Sequence, residues 1–247
     1  MSILEQTQDH GVLTLTLNRA QKRNAFDRTL YAELTAAVQA ADQSAEVRVV
    51  HLRATGDCFS AGNDIADFLA EPESGRRTDP PLKLLRALRA SRKPLVAEVD
   101  GKAVGIGATL LLHCDLVYAS ERAALIFPFV ALGLCPEGGS TQLLPQMAGH
   151  VKAFEWLVLG EPCSAQEAVE VGLVNRVLPL AELAAEAARA VKRLAQLDAE
   201  AVQQSRRCLQ RASGEQLDAI MQAEMDLFEQ LLEREPAQQA LNAFVNR

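Results

Sequence analysis

Apolar and polar residues alternate with a period of two over residues 11–17, where the sequence is Gly-Val-Leu-Thr-Leu-Thr-Leu. This alternation is typical of a half-buried strand. Further apolar runs of strand length occupy residues 47–52, 94–99, 116–119 and 123–127. We therefore expect short strands at these places along the chain.

Apolar residues recur at helical spacing between the expected strands. One such set follows Asp27, a suitable N-cap, and consists of Leu30, Leu34, Ala37, Val38 and Ala41. Further helices are expected over residues 82–90, 105–114 and 139–147. Strands that alternate with helices favour a parallel, layered α/β architecture.

The composition changes after Leu180, where Ala, Glu, Leu, Gln and Arg dominate. Apolar positions at helical spacing predict amphipathic helices over residues 195–247. We therefore expect two parts, a core in residues 1–194 and a helical segment in residues 195–247. Residues 71–81 are polar and rich in proline, so we expect a mobile surface loop there.

Composition and charge narrow the possible functions. The 247 residues include 25 Lys and Arg against 32 Asp and Glu, and the net charge of -7 argues against sequence-independent nucleic-acid binding. The N-terminus does not resemble a secretion signal, and no stretch approaches the roughly 20 apolar residues of a membrane span, so we expect a soluble cytoplasmic protein. The five cysteines form no C-x-x-C pair, which argues against a disulfide framework or a zinc site.

Two glycine-containing turns, at residues 59–64 and 101–107, follow expected strands. Two backbone N–H groups that converge on one oxygen would form an oxyanion hole, worth about 3 to 4 kcal/mol for each donor. A glycine in such a turn serves a positive φ angle more often than a ligand, so neither turn alone identifies a function. The second turn, Gly-x-x-x-Gly-x-Gly, matches neither the dinucleotide fingerprint nor the P-loop, so NAD and ATP are not supported.

A series of motifs gives a more specific signal. Residues 17–26, Leu-Asn-Arg-Ala-Gln-Lys-Arg-Asn-Ala-Phe, resemble L-N-R-P-x-x-x-N-A-L, and residues 59–65, Phe-Ser-Ala-Gly-Asn-Asp-Ile, resemble F-S-A-G-x-D-L. Residues 93–107 resemble K-P-x-I-A-A-V-x-G-x-A-x-G-G-G. In order and spacing, these motifs make the chain similar, over essentially its whole length, to the crotonase superfamily of enoyl-CoA hydratases and isomerases.

The resemblance implies an α/β fold with a spiral core of repeated β-β-α units, followed by C-terminal helices that assemble trimers, often paired into hexamers. It also implies an acyl-coenzyme A thioester as the ligand. By position, the backbone N–H groups of Ala61 and Ile106 would bind the thioester oxygen. Ile106 occupies a glycine position of the family pattern, and any residue except proline supplies this N–H.

The resemblance further implies which residues contact the ester. The expected contact residues are Ala25, Ser60, Asn63, Asp64, Ile65 and Gly105 around the two turns, and Phe129 beside the acyl group. Lys22 or Arg23 would meet a phosphate group, and solvated surface charge is an equally weighted alternative for both. Coenzyme A is part of the substrate, so we expect no separate cofactor and no metal.

The acid–base group distinguishes the reactions of this family. Its hydratases use two glutamates, and the corresponding positions here hold Thr109 and Phe129. A phenyl ring cannot transfer a proton, so hydration by paired carboxylates is disfavoured. The Pro-Glu-Gly sequence around Glu137 instead resembles the turn with the single catalytic glutamate of Δ3,Δ2-enoyl-CoA isomerases. Glu137 would move a proton from C2 to C4, and an apolar pocket with Phe129 and Ile126 should raise its pKa.

We therefore expect a Δ3,Δ2-enoyl-CoA isomerase of fatty-acid or related acyl-CoA metabolism. Two alternatives in the same family are an enoyl-CoA hydratase and a ring-modifying isomerase of aromatic acyl-CoA esters, each using Glu137 alone. An alternative of another class is a catalytically silent acyl-CoA-binding protein. Thr109 and Phe129 permit that alternative, whereas Glu137 argues against it.

Overall fold

The structure, a computed structural model, describes residues 2–70, 75–212 and 216–245. Its strands are β1 (Leu4–Asp9), β2 (Val12–Leu17), β3 (Val49–Ala54), β4 (Cys58–Ser60), β5 (Leu95–Val99), β6 (Lys102–Val104), β7 (Leu116–Ser120), β8 (Ala124–Ile126), β9 (Cys163–Ser164) and β10 (Arg176–Leu178). Its α-helices are α1 (Arg28–Gln43), α2 (Ile65–Leu69), α3 (Asp79–Ala90), α4 (Ile106–Thr109), α5 (Ser140–Phe154), α6 (Ala165–Glu170), α7 (Leu180–Gln196), α8 (Ala199–Ala212), α9 (Leu217–Leu232) and α10 (Glu235–Val245).

The strands of the described residues form two sheets. Six strands pair in the order β1-β2-β3-β5-β7-β10, parallel except for the antiparallel pair β1–β2, and four pair in the order β4-β6-β8-β9. Each of the pairs β3–β4, β5–β6 and β7–β8 places one strand in each sheet before the chain continues into helix. This repetition is the β-β-α spiral, so the expected fold class is confirmed.

Helix α1 illustrates how local sequence determines an element. The side chain of Asp27 accepts a hydrogen bond from the backbone N–H of Leu30 at 2.8 Å, as expected for an N-cap. All five apolar positions expected on the buried face are buried, and Tyr31 is buried beside them. The helical period and the cap therefore agree, and this part of the interpretation is confirmed.

Three elements differ from the expectation. Strand β1 buries only the first of its six residues, so its sequence lacks the alternation that would reveal it, and β1 lies at the sheet edge beside β2. The single helix expected over residues 105–114 is divided into α4 and a 3-10 turn at Leu110–His113. Helix α5 continues beyond residue 147 to Phe154, across a non-helical Gly149.

The expected mobile loop over residues 71–81 is wrong for its second half. Helix α3 begins at Asp79, inside that range, with prolines in its first turn, where a backbone N–H is not required. Residues 75–78 are held by α9, because Arg76 pairs with Asp226 at 2.5 Å and the hydroxyl of Thr78 donates to Glu229 at 2.9 Å. Residues 71–74 lie outside the described part of the chain.

The helical end of the chain begins at Leu180, earlier than the expected residue 195. Helix α7 packs against Val49, Val96 and Tyr118 on the six-stranded sheet. Helices α9 and α10 bury Met221, Met225, Phe228, Leu232, Ala237 and Leu241 in the main core. The inner faces of α9 and α10 therefore pack into the hydrophobic core of their own chain. No described helix is long and apolar enough to cross a membrane.

The core role of α9 predicts a contrast between two leucines of that helix. Leu232 is fully buried, whereas Leu227 is 46% exposed. We expect Leu232→Ala to lower the free energy of unfolding by about 3 kcal/mol, because it leaves a cavity. The matched variant Leu227→Ala should cost less than about 1 kcal/mol. Urea denaturation checks both values, and equal losses would contradict the assignment of α9 to the core.

Candidate active site

The two glycine turns lie against each other at the ends of the neighbouring strands β4 and β6. Gly62 has a φ of +85°, and a Cβ there would lie 2.8 Å from the carbonyl oxygen of Val104. A Cβ on Gly107 would lie 2.7 Å from the Cβ of Ser60. Because neither position has room for a side chain, glycine brings the turn after β4 into backbone contact with the start of α4.

The structure changes one of the two expected oxyanion donors. The backbone N–H of Ala61 donates to the carbonyl oxygen of Arg23 at 2.9 Å. This donor is already used within the fold and is not available to a ligand. The assignment of Ala61 as a donor is therefore wrong.

Asn63 carries the free N–H group of this turn instead. Phe26 pairs with Asn63 in a parallel bridge, in which its N–H donates to Gly62 and its carbonyl oxygen accepts from Asp64. Groups along an extended segment alternate in direction, so the N–H of Asn63 points away from Phe26. Within the described residues, this N–H has no acceptor. The free N–H of this turn therefore lies two residues after the expected one.

The N–H of Ile106 is free, as the expected donor role requires. Ile106 is the first residue of α4, where backbone N–H groups have no partner within the helix. Gly105 has a φ of 54° and donates its own N–H to Ile126, which turns the chain into α4. Among the described residues, no acceptor lies opposite the N–H of Ile106. Asn63 and Ile106 thus present two free donors from adjoining turns.

A cavity of about 530 Å³ adjoins these donors. The expected site residues on its wall are Lys22, Arg23, Ala25, Ala61, Asn63, Asp64, Ile65, Gly105, Ile106 and Phe129. Phe228, Leu241, Phe244 and Val245 of α9 and α10 complete the wall. The sequence alone does not identify these four residues, because only the packing of the C-terminal helices brings them to the cavity.

Ser60 does not contact the cavity. It is fully buried, its hydroxyl donates to the carbonyl oxygen of Asn24 at 2.9 Å, and its oxygen accepts the N–H of Gly62 at 3.1 Å. The expected ligand contact of Ser60 is therefore wrong, and its side chain holds the turn instead. Ile126, expected in the acyl pocket, also lies outside the cavity wall.

Charged groups around the cavity divide into paired and exposed ones. The carboxylate of Asp64 pairs with Arg19 at 2.8 Å. Burial opposes ionisation of Asp64, but the hydrogen bond and charge of Arg19 hold its pKa below the usual value. Lys22 and Arg23 are exposed, and neither forms an ion pair with a described residue. The cavity wall therefore offers two cations to an anionic ligand.

Glu137 is a buried carboxyl group that does not line this cavity, and Thr109 joins it to α4, the helix that begins at Ile106. It is 4% exposed, its Oε1 accepts a hydrogen bond from the hydroxyl of Thr109, and its buried Oε2 has no partner. Burial raises the pKa of Glu137 to about 8, the bond from Thr109 opposes this, and the charge of Glu224 adds to it. The expected direction of the shift is confirmed.

Thr109 connects this carboxyl group to the donors. It ends the short helix α4 that Ile106 begins, and its hydroxyl lies 3.5 Å from the carbonyl oxygen of Ile106. Tyr31 approaches from α1, donates its hydroxyl to Oδ1 of Asn63 at 2.5 Å and has its pKa raised by burial and then by the charge of Glu137. A proton acceptor and two N–H donors therefore share one small region.

Comparison with known proteins identifies the family. The model described as enoyl-CoA hydratase/isomerase matches residues 7–247. The chain belongs to the enoyl-CoA hydratase/isomerase family. It is 34% identical to human enoyl-CoA delta isomerase 2 over 97% of this chain and 61% of that protein, so it spans less than two thirds of that relative. It is 31% identical to the 2,3-dehydroadipyl-CoA hydratase of Escherichia coli over 100% of this chain and 97% of that protein.

Solved structures agree with this membership. Pseudomonas aeruginosa OdaA superposes with a TM-score of 0.95 at 40% identity and covers 100% of both chains. An enoyl-CoA hydratase/isomerase from Pseudoalteromonas atlantica gives a TM-score of 0.93 at 35% identity, covering 99% of this chain and 97% of that one. The enoyl-CoA hydratase/isomerase family thus contains both isomerases and hydratases among relatives of similar identity.

In this member of the enoyl-CoA hydratase/isomerase family, the two positions expected for hydratase glutamates carry other contacts. Thr109 donates to Glu137, and the ring of Phe129 lies 6.4 Å from that of Phe228 in an edge-to-face arrangement. His113, interpreted as a core histidine, is buried and lies 2.9 Å from the carbonyl oxygen of Gly138. Burial lowers its pKa to about 4, so the ring is neutral and donates this bond.

The raised pKa of Glu137 predicts a pH-dependent contribution to stability. Its pKa is about 8 in the fold against 4.5 without the fold's influence, so the folded state holds a proton that the unfolded state releases. Stability from this group is present below pH 4.5 and is lost as the pH rises toward 8. We expect Glu137→Gln to gain on the order of 3 kcal/mol relative to wild type between pH 5 and pH 8.5.

Melting temperatures of both proteins at the two pH values check this prediction. The exposed Glu121→Gln is a control for the loss of one glutamate carboxyl group. If the difference in melting temperature between Glu137→Gln and wild type were the same at both pH values, this result would contradict a buried, neutral Glu137.

Proposed function

We propose that the chain is a Δ3,Δ2-enoyl-CoA isomerase in which Glu137 is the single acid–base group. The observation that carries the proposal is the buried Glu137, with one carboxyl oxygen unpaired and a pKa of about 8. A base with a pKa near the working pH can both accept and return a proton. The reaction needs both steps from the same group.

The mechanism uses the two backbone donors to hold charge. The N–H groups of Asn63 and Ile106 bind the thioester oxygen, which makes the C2 proton of a 3-enoyl ester more acidic. The carboxylate of Glu137 removes that proton, and the electron pair enters a dienolate whose negative charge rests on the bound oxygen. Protonated Glu137 then returns the proton to C4, so the double bond moves from C3=C4 to C2=C3. No water or separate cofactor enters these steps, because coenzyme A is part of the substrate.

The surroundings of Glu137 favour proton transfer over hydration. A hydratase must position and split a water molecule, which two carboxylates do in the hydratases of this family. Here the hydroxyl group of Thr109 donates a hydrogen bond to Glu137, and the side chain of Phe129 is apolar. The remaining alternatives are a hydratase, a ring-modifying isomerase and a silent binder. A relative named 1,2-epoxyphenylacetyl-CoA isomerase, 34% identical over 76% of this chain, supports retaining the ring-modifying alternative.

We also place the coenzyme A moiety. Lys22 and Arg23 are exposed cations on the cavity wall, so we assign them to the phosphate groups. Asp64 and Ile65 line the cavity together with the apolar residues Leu241 and Phe244 of α10. A wall that contains both polar and apolar residues fits the pantetheine chain.

Activity measurements test the proposed isomerase. Purified protein is incubated with a trans-3-enoyl-CoA and, separately, with a trans-2-enoyl-CoA, and the products are followed by mass spectrometry and NMR. We expect conversion of the 3-enoyl to the 2-enoyl ester without a gain in mass. Glu137→Gln should lower kcat about 10³-fold, because it removes the acid–base group, while the exposed Glu121→Gln should not.

Each alternative gives a different result in this experiment. Water addition to the 2-enoyl ester that persists in Glu137→Gln would contradict the isomerase and the role of Glu137. If the protein binds both enoyl esters without converting them but converts an aromatic ring ester, the result would favour the ring-modifying isomerase. Binding of all three esters without turnover would favour the silent binder.

We further propose that copies of the chain assemble into a trimer or a dimer of trimers. Several apolar side chains on residues 147–159 are exposed in the single chain: Met147 38%, Val151 84%, Phe154 48% and Leu159 68%. Exposed apolar side chains that lie close together mark interaction surfaces. A partner copy would cover them.

Light scattering after size-exclusion chromatography tests this assembly. We expect the wild-type mass to correspond to three or six copies, and we expect Val151→Asp to reduce it, because a buried, unpaired charge disfavours association. Leu180→Asp, at an exposed apolar position outside this segment, should leave the mass unchanged. A wild-type mass of one copy would contradict the proposal.

A further inference from the structure

The turn that carries Glu137 is held between two helices. Gly138 and Gly139 have φ angles of +75° and +74°, in the left-handed region that favours glycine. A Cβ on Gly138 would lie 2.9 Å from Cβ of Thr109, and one on Gly139 would lie 2.5 Å from Cδ1 of Leu217. The turn therefore fits between α4 on one side and α9 on the other without space for side chains.

Glu224 of α9 binds this turn through its carboxylate. It is 7% exposed, and its Oε2 accepts the backbone N–H of Gly139 at 2.6 Å. Its Oε1 accepts the backbone N–H of Thr141 at 3.1 Å and the hydroxyl of the same residue. Helix α5 begins at Ser140 and receives no side-chain cap from Gly139, so Glu224 supplies the acceptor that the first turn lacks.

We propose that Glu224 is a positioning residue for the base, which fixes the start of α5 and thereby the direction of the Glu137 carboxyl group. The proposal rests on the function proposed above, since it concerns the same proton transfer. Gly139 lies two residues after Glu137, and His113 holds Gly138 from the other side at 2.9 Å. With both sides of the turn held, Thr109 bonds to Oε1 of Glu137, and the buried Oε2 has no hydrogen-bond partner among the described residues.

Glu224 also acts on Glu137 through its charge. The ionisable groups around Glu137 are Glu224 on α9, Tyr31 on α1, Cys135 in the same turn and His113 beyond α4. Burial raises the pKa of Tyr31 and of Cys135, and burial keeps His113 neutral, so Glu224 is the group in this set that adds negative charge. Burial also raises the pKa of Glu224, but its three donors favour the carboxylate. Removing this charge makes Glu137 easier to ionise.

Two variants separate position from charge. Glu224→Gln removes the charge and at least one acceptor, whereas Thr141→Val removes one donor and retains the charge. We expect Glu224→Gln to lower kcat about tenfold to a hundredfold with little change in KM, because a small displacement of a reacting group has this effect. The acid limb of its pH profile should move to lower pH. Thr141→Val should lower kcat less and leave the limb in place.

A control on the same helix isolates the effect. Asp226 faces away from the turn and pairs with Arg76, so Asp226→Asn removes a charge from α9 without touching α5. We expect it to change neither kcat nor the pH profile. Unchanged kcat and an unchanged acid limb in Glu224→Gln would overturn the proposal. If Glu224→Gln fails to fold, Thr141→Val carries the test, and a wild-type kcat in that variant would overturn it.

An NMR titration distinguishes failure of this proposal from failure of the proposed function. Glutamate carboxyl groups are labelled with ¹³C, and the signal of Glu137 is identified by its loss in Glu137→Gln. We expect Glu224→Gln to lower the pKa of Glu137, and this readout does not depend on any turnover. A wild type that isomerises no 3-enoyl ester would refute the function, whereas an unchanged pKa of Glu137 in Glu224→Gln would refute the charge effect of Glu224.

Discussion

The close backbone contact between the turns after β4 and β6 is the constraint on which the rest of the site depends. A Cβ on Gly62 would meet the carbonyl oxygen of Val104, and a Cβ on Gly107 would meet the side chain of Ser60. Any side chain at either glycine would force the turns to shift apart, because both Cβ distances are shorter than a van der Waals contact. The free N–H groups of Asn63 and Ile106 would then no longer lie on adjoining turns. The parallel strands β4 and β6 position the two turns, and the two glycines, which lack side chains, allow the turns to lie close together.

Sequence patterns predicted the fold class because strand and helix periods and the motif series agreed. The helical period and the Asp27 cap predicted helix α1. The motif at residues 59–65 predicted that Asn63 and Ile65 line the cavity. The error at Ala61 has a specific cause, since a motif gives the position of a turn but not the direction of each N–H within it. That direction follows from the pairing of Phe26 with Asn63, which joins residues far apart in sequence.

Other site features were beyond sequence reasoning for a related reason. Glu224 lies on an amphipathic helix whose sequence contains no motif that marks this residue. Its partners Gly139 and Thr141 lie more than 80 residues earlier in the chain. Tyr31 was not recognised as part of the site, although it lies on the buried face of α1. Long-range contacts of single side chains leave no periodic signal, so they require the folded chain.

The position of α9 and α10 has a consequence for the order in which the protein matures. A ribosome delivers the chain from its N-terminus, so both N–H donors and Glu137 emerge well before Glu224 and the cavity wall at Phe228 and Leu241. During synthesis the nascent chain therefore possesses the chemical groups of the site without the helices that enclose and orient them. The cavity wall and the bonds from Glu224 to the turn of Glu137 are therefore complete only after α9 and α10 have docked.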